Sequence, residues 1–219
     1  MSADAPRRSG GRPTAQAAAR LEATILDQAT RAFLAHGYAA TTIEAVARAC
    51  GVAKRTIYAR WNGKPALFRA VLERLMARWL STTGEWTSAD SLEAALRVAA
   101  DVILAVALTP EAIALHRLII AESGRIPDLP LMLQQAGAGE GMARIAALLD
   151  QAIARGDLPP LDTTTAAEQF LHLLLVGPQR RAMGLGPPLD RPAITAWRDN
   201  AIALFLSGIH GLRLLTGAE

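Results

Sequence analysis

Apolar residues recur at three- and four-residue intervals along most of this chain, and no segment shows the period-two alternation of a strand, so the elements predicted are helices. A first helix is expected from about Thr14 to His36, ended by Gly37. Two short helices follow within Thr41–Tyr58, then one from about Gly63 to Ser81. Ser88, Asp90 and Glu93 offer caps for a helix reaching Leu108. Thr109-Pro110-Glu111 is a restart signal: a capping hydroxyl, a proline at the first turn and an early acid. The helix it opens should end near Gly124 and carry Ile113, His116, Arg117 and Ile120 on one side. A short helix from Pro127 to about Gln135 is broken by the glycine-rich run 136–141, and another spans Met142 to Arg155. The last two long helices begin near Asp162–Thr165 and near Asp190, and Gly177-Pro178 predicts a kink or an early end in the first of them.

Within this pattern the segment 41–58 is the most specific. Thr41 with Glu44 three residues on reads as a capping box. Ile43, Val46, Ala47 and Cys50 share one face, Gly51 supplies a left-handed turn, and Val52 fills the corner between two helices. The second helix turns Ile57 inward and offers Lys54, Arg55, Thr56 and Arg60 outward. That is the plan of a helix-turn-helix, which seats its second helix in the major groove. Taken alone the pattern also fits a helical hairpin with a solvated basic face.

Charge separates the two readings. Residues 1–74 hold 12 Lys and Arg against 5 Asp and Glu, a net +7, whereas residues 75–219 hold 11 against 15, a net −4. A basic front and an acidic back suggest that only the front meets phosphate. The arm Arg7-Arg8-Ser9-Gly10-Gly11-Arg12-Pro13 is basic and aperiodic, and reads equally as a minor-groove contact or a solubilising tail. It has no apolar core and so is not read as a secretory signal. No uninterrupted apolar run reaches the ~18 residues of a membrane span, so no membrane partner is expected. The single cysteine, Cys50, cannot form an internal disulfide and reads as a packed, reduced thiol, which suits the cytoplasm. There is no Gly-x-Ser-x-Gly elbow, no His-Glu-x-x-His and no Cys/His cluster, so neither enzyme chemistry, a metal site nor a cofactor is expected. The glycine run 136–141 lacks the preceding strand and following Lys-Ser/Thr of a phosphate loop and reads as a helix connection.

Residues Gly11 to about Leu75 resemble the DNA-binding domain of TetR-type transcriptional regulators. The resemblance rests on Ile25-Leu26-Asp27-Gln28-Ala29, on Phe33-Leu34-Ala35-His36-Gly37-Tyr38 and on Thr41-Thr42-Ile43, in order and correctly spaced. It continues through Ala47–Cys50, Gly51–Tyr58 and Lys64-Pro65-Ala66-Leu67-Phe68. Glu122–Leu129 and Ala166–Leu171 resemble the regulatory domain of the AefR-like branch. Three departures from the family pattern stand out. Ala53 stands where a serine usually caps the recognition helix, a loss of ~1 kcal/mol; Trp61 replaces a phenylalanine; and Gly63 and Pro65 flank Lys64.

The resemblance implies an all-α protein with three parts. These are a basic arm (1–13), a three-helix helix-turn-helix domain (14–75), and a helical domain for ligand binding and dimerisation (76–219). It implies a homodimeric regulator, a repressor more readily than an activator, that binds a palindromic double-stranded operator and is released by a small hydrophobic effector. The alternative is a helical small-molecule-binding or interaction protein that makes no use of DNA. Thr42, Tyr58 and Lys64 are the expected phosphate contacts, and Lys54, Arg55, Thr56 and Arg60 the expected base readers. The polar candidates for the effector cavity are His116, Arg117, Gln169 and His172. The last two helices are apolar enough to need a partner surface, and a two-fold four-helix interface would use Phe170, Leu174, Trp197, Ala201 and Phe205.

Overall fold

Every regular element among the described residues is a helix. The computed structural model describes residues 15–82 and 90–216, so the N-terminal arm and Ser88 lie outside them. In chain order the helices are α1 (Ala15–Ala40), α2 (Ile43–Ala49), α3 (Lys54–Tyr58), α4 (Lys64–Thr82) and α5 (Leu92–Ala107). Then follow α6 (Pro110–Glu122), α7 (Leu129–Gln135), α8 (Glu140–Ala154), α9 (Thr163–Ala182) and α10 (Arg191–Thr216). They fall into two units, Met1–Val71 and Leu72–Glu219, and α4 contributes residues to both.

The first unit packs on Ile25, Ala29 and Phe33 of α1, Val46 of α2, Ile57 of α3 and Leu67 of α4, all buried. Helical geometry in α1 breaks at Gly37, with φ 82° and ψ 170°, where the sequence places the helix end. That break brings Tyr38 beside Phe68, ring centroids 5.0 Å apart, while Phe33 meets Phe68 edge-on at 4.9 Å. Aromatic pairs of this kind contribute ~0.5–1.5 kcal/mol each beyond their buried area.

The start of α2 differs from the sequence reading by one residue. Thr42, not Thr41, is the N-cap, its hydroxyl accepting from the Ala45 amide at 3.1 Å. Thr41 is buried and donates back to the Gly37 carbonyl at 2.8 Å, so it closes the end of α1. Glu44 is thereby released from a capping box for another partner.

The core of the second unit is built by α5, α8, α9 and α10 around Leu96, Ile145, Leu149, Phe170, Leu174 and Ile202. Ser91, rather than Asp90, caps α5, its hydroxyl accepting from the Ala94 amide at 3.2 Å. The restart at α6 is as read, with Thr109 accepting from Ala112 at 3.2 Å and Pro110 in the first turn. The buried stripe of α6 is rotated from the expected one. It runs through Ala112, Leu115, Leu118 and Glu122 as well as Ile113, leaving Arg117 exposed and Ile120 57% exposed.

Helix α9 does not end early at Gly177-Pro178 but continues to Ala182. Proline has no amide to give the Leu174 carbonyl four residues back. The indole Nε1 of Trp197 in α10 donates there instead, at 3.1 Å, and equally to the Leu173 carbonyl. Gly177 makes room for that indole: a methyl at Gly177 would overlap Cη2 and Cζ2 of the ring. No single described helix is long and apolar enough to cross a membrane.

Candidate functional site

The turn between α2 and α3 is fixed by its backbone. Gly51 has φ +66°, and its amide donates to the Arg48 carbonyl at 3.1 Å while the Val52 amide donates to Ala47 at 3.0 Å. This paired closure needs a left-handed residue, which glycine adopts without a Cβ clash. Ala53 then opens α3 with no side-chain cap. The five-residue helix cannot stand by propensity alone. Fully buried Ile57 anchors it, and Trp61, 9% exposed, closes its far end.

Lys54, Arg55 and Tyr58 all project to solvent from α3, Tyr58 being 53% exposed. Among the described residues the Arg55 guanidinium has no hydrogen bond or ion pair, so its five donors face outward ready for a base edge or phosphate. Lys54 is engaged: its ammonium is ion-paired with Glu44 of α2. The pairing holds the Glu44 carboxyl below its usual range and raises Lys54. Both groups are solvent-exposed, so the pair is screened and can exchange for a phosphate at little cost. Glu44 is thus a member of this surface that sequence reasoning missed. Its capping-box spacing was the competing explanation.

The remaining candidates separate. Thr42 is exposed at the N-cap of α2, Thr56 is half-buried, and Arg60 leans back toward the Thr56 carbonyl at 3.4 Å. Lys64, expected at a phosphate, is committed internally. It donates to the carbonyls of Tyr38 (2.8 Å), Ala39 (3.1 Å) and Thr41 (3.0 Å), and lies 4.5 Å from the Tyr38 ring centroid. Three bonds exhaust an ammonium, so Lys64 staples the α1–α2 turn and has no spare donor for DNA. Cys50 is half-buried, with its thiol pushed up by desolvation, which disfavours the reactive thiolate.

The second unit holds a cavity of about 270 Å³ that is partly open to solvent. Met76, Trp79 and Leu80 of α4 form one wall, Leu115, His116 and Ile119 of α6 another, and Leu171, Leu175 and Gln179 of α9 a third. A wider recess of about 420 Å³ shares His116, Met142, Leu171, Leu175 and Gln179 with it and adds Glu168, His172 and Arg180. Of the four polar candidates, His116 lines both spaces and His172 only the recess. Arg117 instead donates to the Met183 carbonyl at 2.9 Å, and Gln169 is exposed on α9, so neither lines the cavity. Gln179 is the polar wall residue that sequence reasoning missed, because a glutamine one residue past a proline reads as a helix end. Arg78 of α4 is ion-paired with Glu111 of α6 beside this wall.

The expected dimer residues are placed differently from the expectation. Phe170, Leu174, Ala201 and Phe205 are buried within the chain's own core, with Phe170 and Phe205 centroids 5.0 Å apart, and Trp197 is half-buried in its α9 socket. They are spent holding α9 to α10. Among the described residues of α9 and α10, the large apolar side chains left exposed are Leu173 (41% exposed), Val176 (46%) and Leu204 (65%).

Known proteins agree with this arrangement. Residues 25–71 match the model of the bacterial regulatory proteins of the tetR family, and residues 93–208 match the AefR-like transcriptional repressor C-terminal domain. The HTH-type transcriptional repressor ComR of Escherichia coli (strain K12) is 30% identical over 160 residues, covering 69% of this chain and 74% of that protein. A TetR-family transcriptional regulator from Mesorhizobium loti MAFF303099 superposes with a TM-score of 0.73 at 28% identity, over 87% of this chain and 96% of the other. The flavonoid-responsive regulator FrrA superposes with a TM-score of 0.73 at 30% identity, over 87% and 97%. The chain belongs to the TetR family of transcriptional regulators, with a helix-turn-helix at its front and an AefR-like regulatory domain behind it.

Proposed function

We propose that this protein is a homodimeric repressor that reads a palindromic operator and lets go of it when a small apolar molecule fills the second unit. The observation that carries the reading is the outward face of α3. Arg55 is unengaged there among the described residues, Lys54 is held by an exchangeable ion pair, and Tyr58 is exposed, in a front segment of net charge +7. One such helix makes too few contacts for specificity. Two related by symmetry read half-sites about 34–36 Å apart. Arg55 and Lys54 read bases, with Thr56 and Arg60 at the margin of the contact, and Thr42 and Tyr58 position the backbone.

A second copy docks on the outer faces of α9 and α10, through Leu173, Val176 and Leu204. Sensing runs through α4, one helix that starts in the DNA-reading unit at Lys64 and lines the effector cavity at Met76, Trp79 and Leu80. An occupant that displaces this wall biases the spacing of the two recognition helices, with a coupling of ~1–3 kcal/mol. The functional division falls near residue 75, with residues 1–13 as an accessory arm, and the compartment is the cytoplasm. Repression follows from occlusion, which needs binding alone.

The test is selection of bound sites from random-sequence DNA by the purified protein at near-physiological salt. A palindrome with two half-sites one helical turn apart is the expected product. Sequence-blind, salt-sensitive binding alone would overturn the reading and favour a helical binding protein that does not use DNA.

A further inference from the structure

The walls of the cavity restrict what can enter it. At about 270 Å³ it lies just below the ~300–1,000 Å³ range of small-molecule sites, which suits one or two rings. Its lining is mostly apolar and, among the described residues, carries no Asp, Glu, Lys or Arg, so a charge brought inside meets no counter-charge there. Two thioethers and an indole, Met76, Met142 and Trp79, favour the edge and face of an aromatic ring over an alkyl chain. Ile103, Val106 and Ala107 of α5 form a further wall, and the glycine-rich connection between α7 and α8 closes another side. Gly137 and Gly141 line the space and contribute no side chains to it.

The polar groups sit where cavity and recess adjoin. His116 and Gln179 line both, whereas the charged Glu168 and Arg180 line only the recess. Among the described residues neither the His116 imidazole nor the Gln179 amide has a hydrogen bond to another protein group. An alkyl chain threaded past them would strip their water and return no partner, a penalty that discriminates strongly. A hydroxyl at that point satisfies both, since the amide and the imidazole each offer a donor or an acceptor.

We infer that the effector is a neutral planar aromatic alcohol, a phenol of one or two rings, held with its ring between Trp79 and the Gly137–Gly141 wall and its hydroxyl between His116 and Gln179. This rests on the sensor reading above and specifies the occupant of that cavity. Fatty acids and acyl thioesters are disfavoured, because their chains would cross the polar neck.

The test uses the full-length protein and four probes: 4-phenylphenol, biphenyl, 4-phenylbenzoate and decanoate. Binding is measured by calorimetry, and release by the fraction of selected operator DNA still bound. 4-Phenylphenol is expected to bind at least ~3–10-fold more tightly than biphenyl, the equivalent of one net hydrogen bond of the two its hydroxyl can make, and more than ~10-fold more tightly than 4-phenylbenzoate, whose charge is unpaired inside. Gln179→Leu should reduce the preference for phenol over biphenyl to the share that His116 supplies, with an unchanged helical circular-dichroism spectrum showing that the variant is folded. Equal affinity for 4-phenylbenzoate, or a hydroxyl preference unchanged in Gln179→Leu, overturns the inference. So does release of DNA by decanoate alone, which leaves the sensor reading standing. Binding of 4-phenylphenol with the expected pattern but no release of DNA would uphold the ligand class and remove the sensor reading instead.

Discussion

Gly177→Ala is the sharpest perturbation the fold offers, because its sign depends on one neighbour. In an exposed helix interior, replacing glycine by alanine stabilises by ~0.5–1 kcal/mol, since alanine has less backbone freedom to lose. Here the added methyl would overlap Cη2 and Cζ2 of Trp197 and lie 3.1 Å from Cζ3. The ring cannot simply swing away, because its Nε1 is held at 3.1 Å by both the Leu173 and Leu174 carbonyls. Overpacking of this kind costs ~1–3 kcal/mol. Set against the helical gain, the net effect is a loss of about 0.5–2 kcal/mol.

A double-mutant cycle with Trp197→Ala isolates the clash. Gly177→Ala should destabilise the parent protein yet stabilise the Trp197→Ala background by ~0.5–1 kcal/mol, giving a coupling of ~1–3 kcal/mol. The measurement is urea unfolding followed by helical circular dichroism, at one fixed protein concentration because subunit association shifts the apparent midpoint. Equal stabilisation in both backgrounds would refute the socket. A companion pair probes the hydrogen bond. Trp197→Phe leaves the Leu174 carbonyl without the indole donor, at a cost of ~1–3 kcal/mol, and Pro178→Ala in that background should recover part of it by restoring a backbone amide.

Three further outcomes follow from named contacts. Arg55→Ala should weaken operator binding by ~1–3 kcal/mol and relax preference at one base pair per half-site, whereas Lys64→Met should lower the folding stability of the first unit and leave the salt slope of DNA binding nearly unchanged; filter binding across a salt series with parallel unfolding curves separates the two. Val176→Glu with Leu204→Glu should convert a dimer to a monomer in analytical ultracentrifugation without loss of helicity, since both side chains are exposed in the single chain. Asp199 accepts from Arg198 at 2.8 Å and 2.9 Å and from Arg97 at 3.3 Å, which holds its carboxyl below the usual range. A lowered native value stabilises above the unfolded value of ~3.9 and is lost as pH falls through the native one. The urea midpoints of the parent and Asp199→Asn should therefore differ at pH 7 and converge on acidification.

What the sequence disclosed, and what it withheld, divide along a physical line. Features that depend on neighbours within a turn or two were legible: the Thr109-Pro110 restart, the Gly51 turn, the absent cap at Ala53 and the inward Ile57. Features set by a partner elsewhere in the chain were not. Lys64 looks like a free cation until the carbonyls that follow the break at Gly37 are brought to it from 23 to 26 residues earlier. Pro178 looks like a helix terminator until an indole from α10 supplies the donor that proline lacks. Phe170 and Phe205 look like partner-facing surface because hydrophobicity alone cannot say whether the mate is another helix or another molecule.

The same logic bears on Glu44, whose spacing from Thr41 made a local explanation available and concealed a tertiary one. Paired with Lys54, this carboxylate places a negative charge at the edge of the surface proposed to meet phosphate. On non-specific DNA it repels the backbone, and it engages Lys54 while no better partner is present. If α3 reads an operator as proposed, Lys54 exchanges the carboxylate for a base edge there. Glu44→Gln should therefore tighten non-specific binding more than operator binding, and the salt slope for non-specific DNA should steepen by up to ~0.9 per phosphate gained in each subunit. Competition binding against random-sequence DNA reads the ratio directly. A specificity ratio that rose on removing the charge would mean that Glu44 serves only to hold α2 and α3 together.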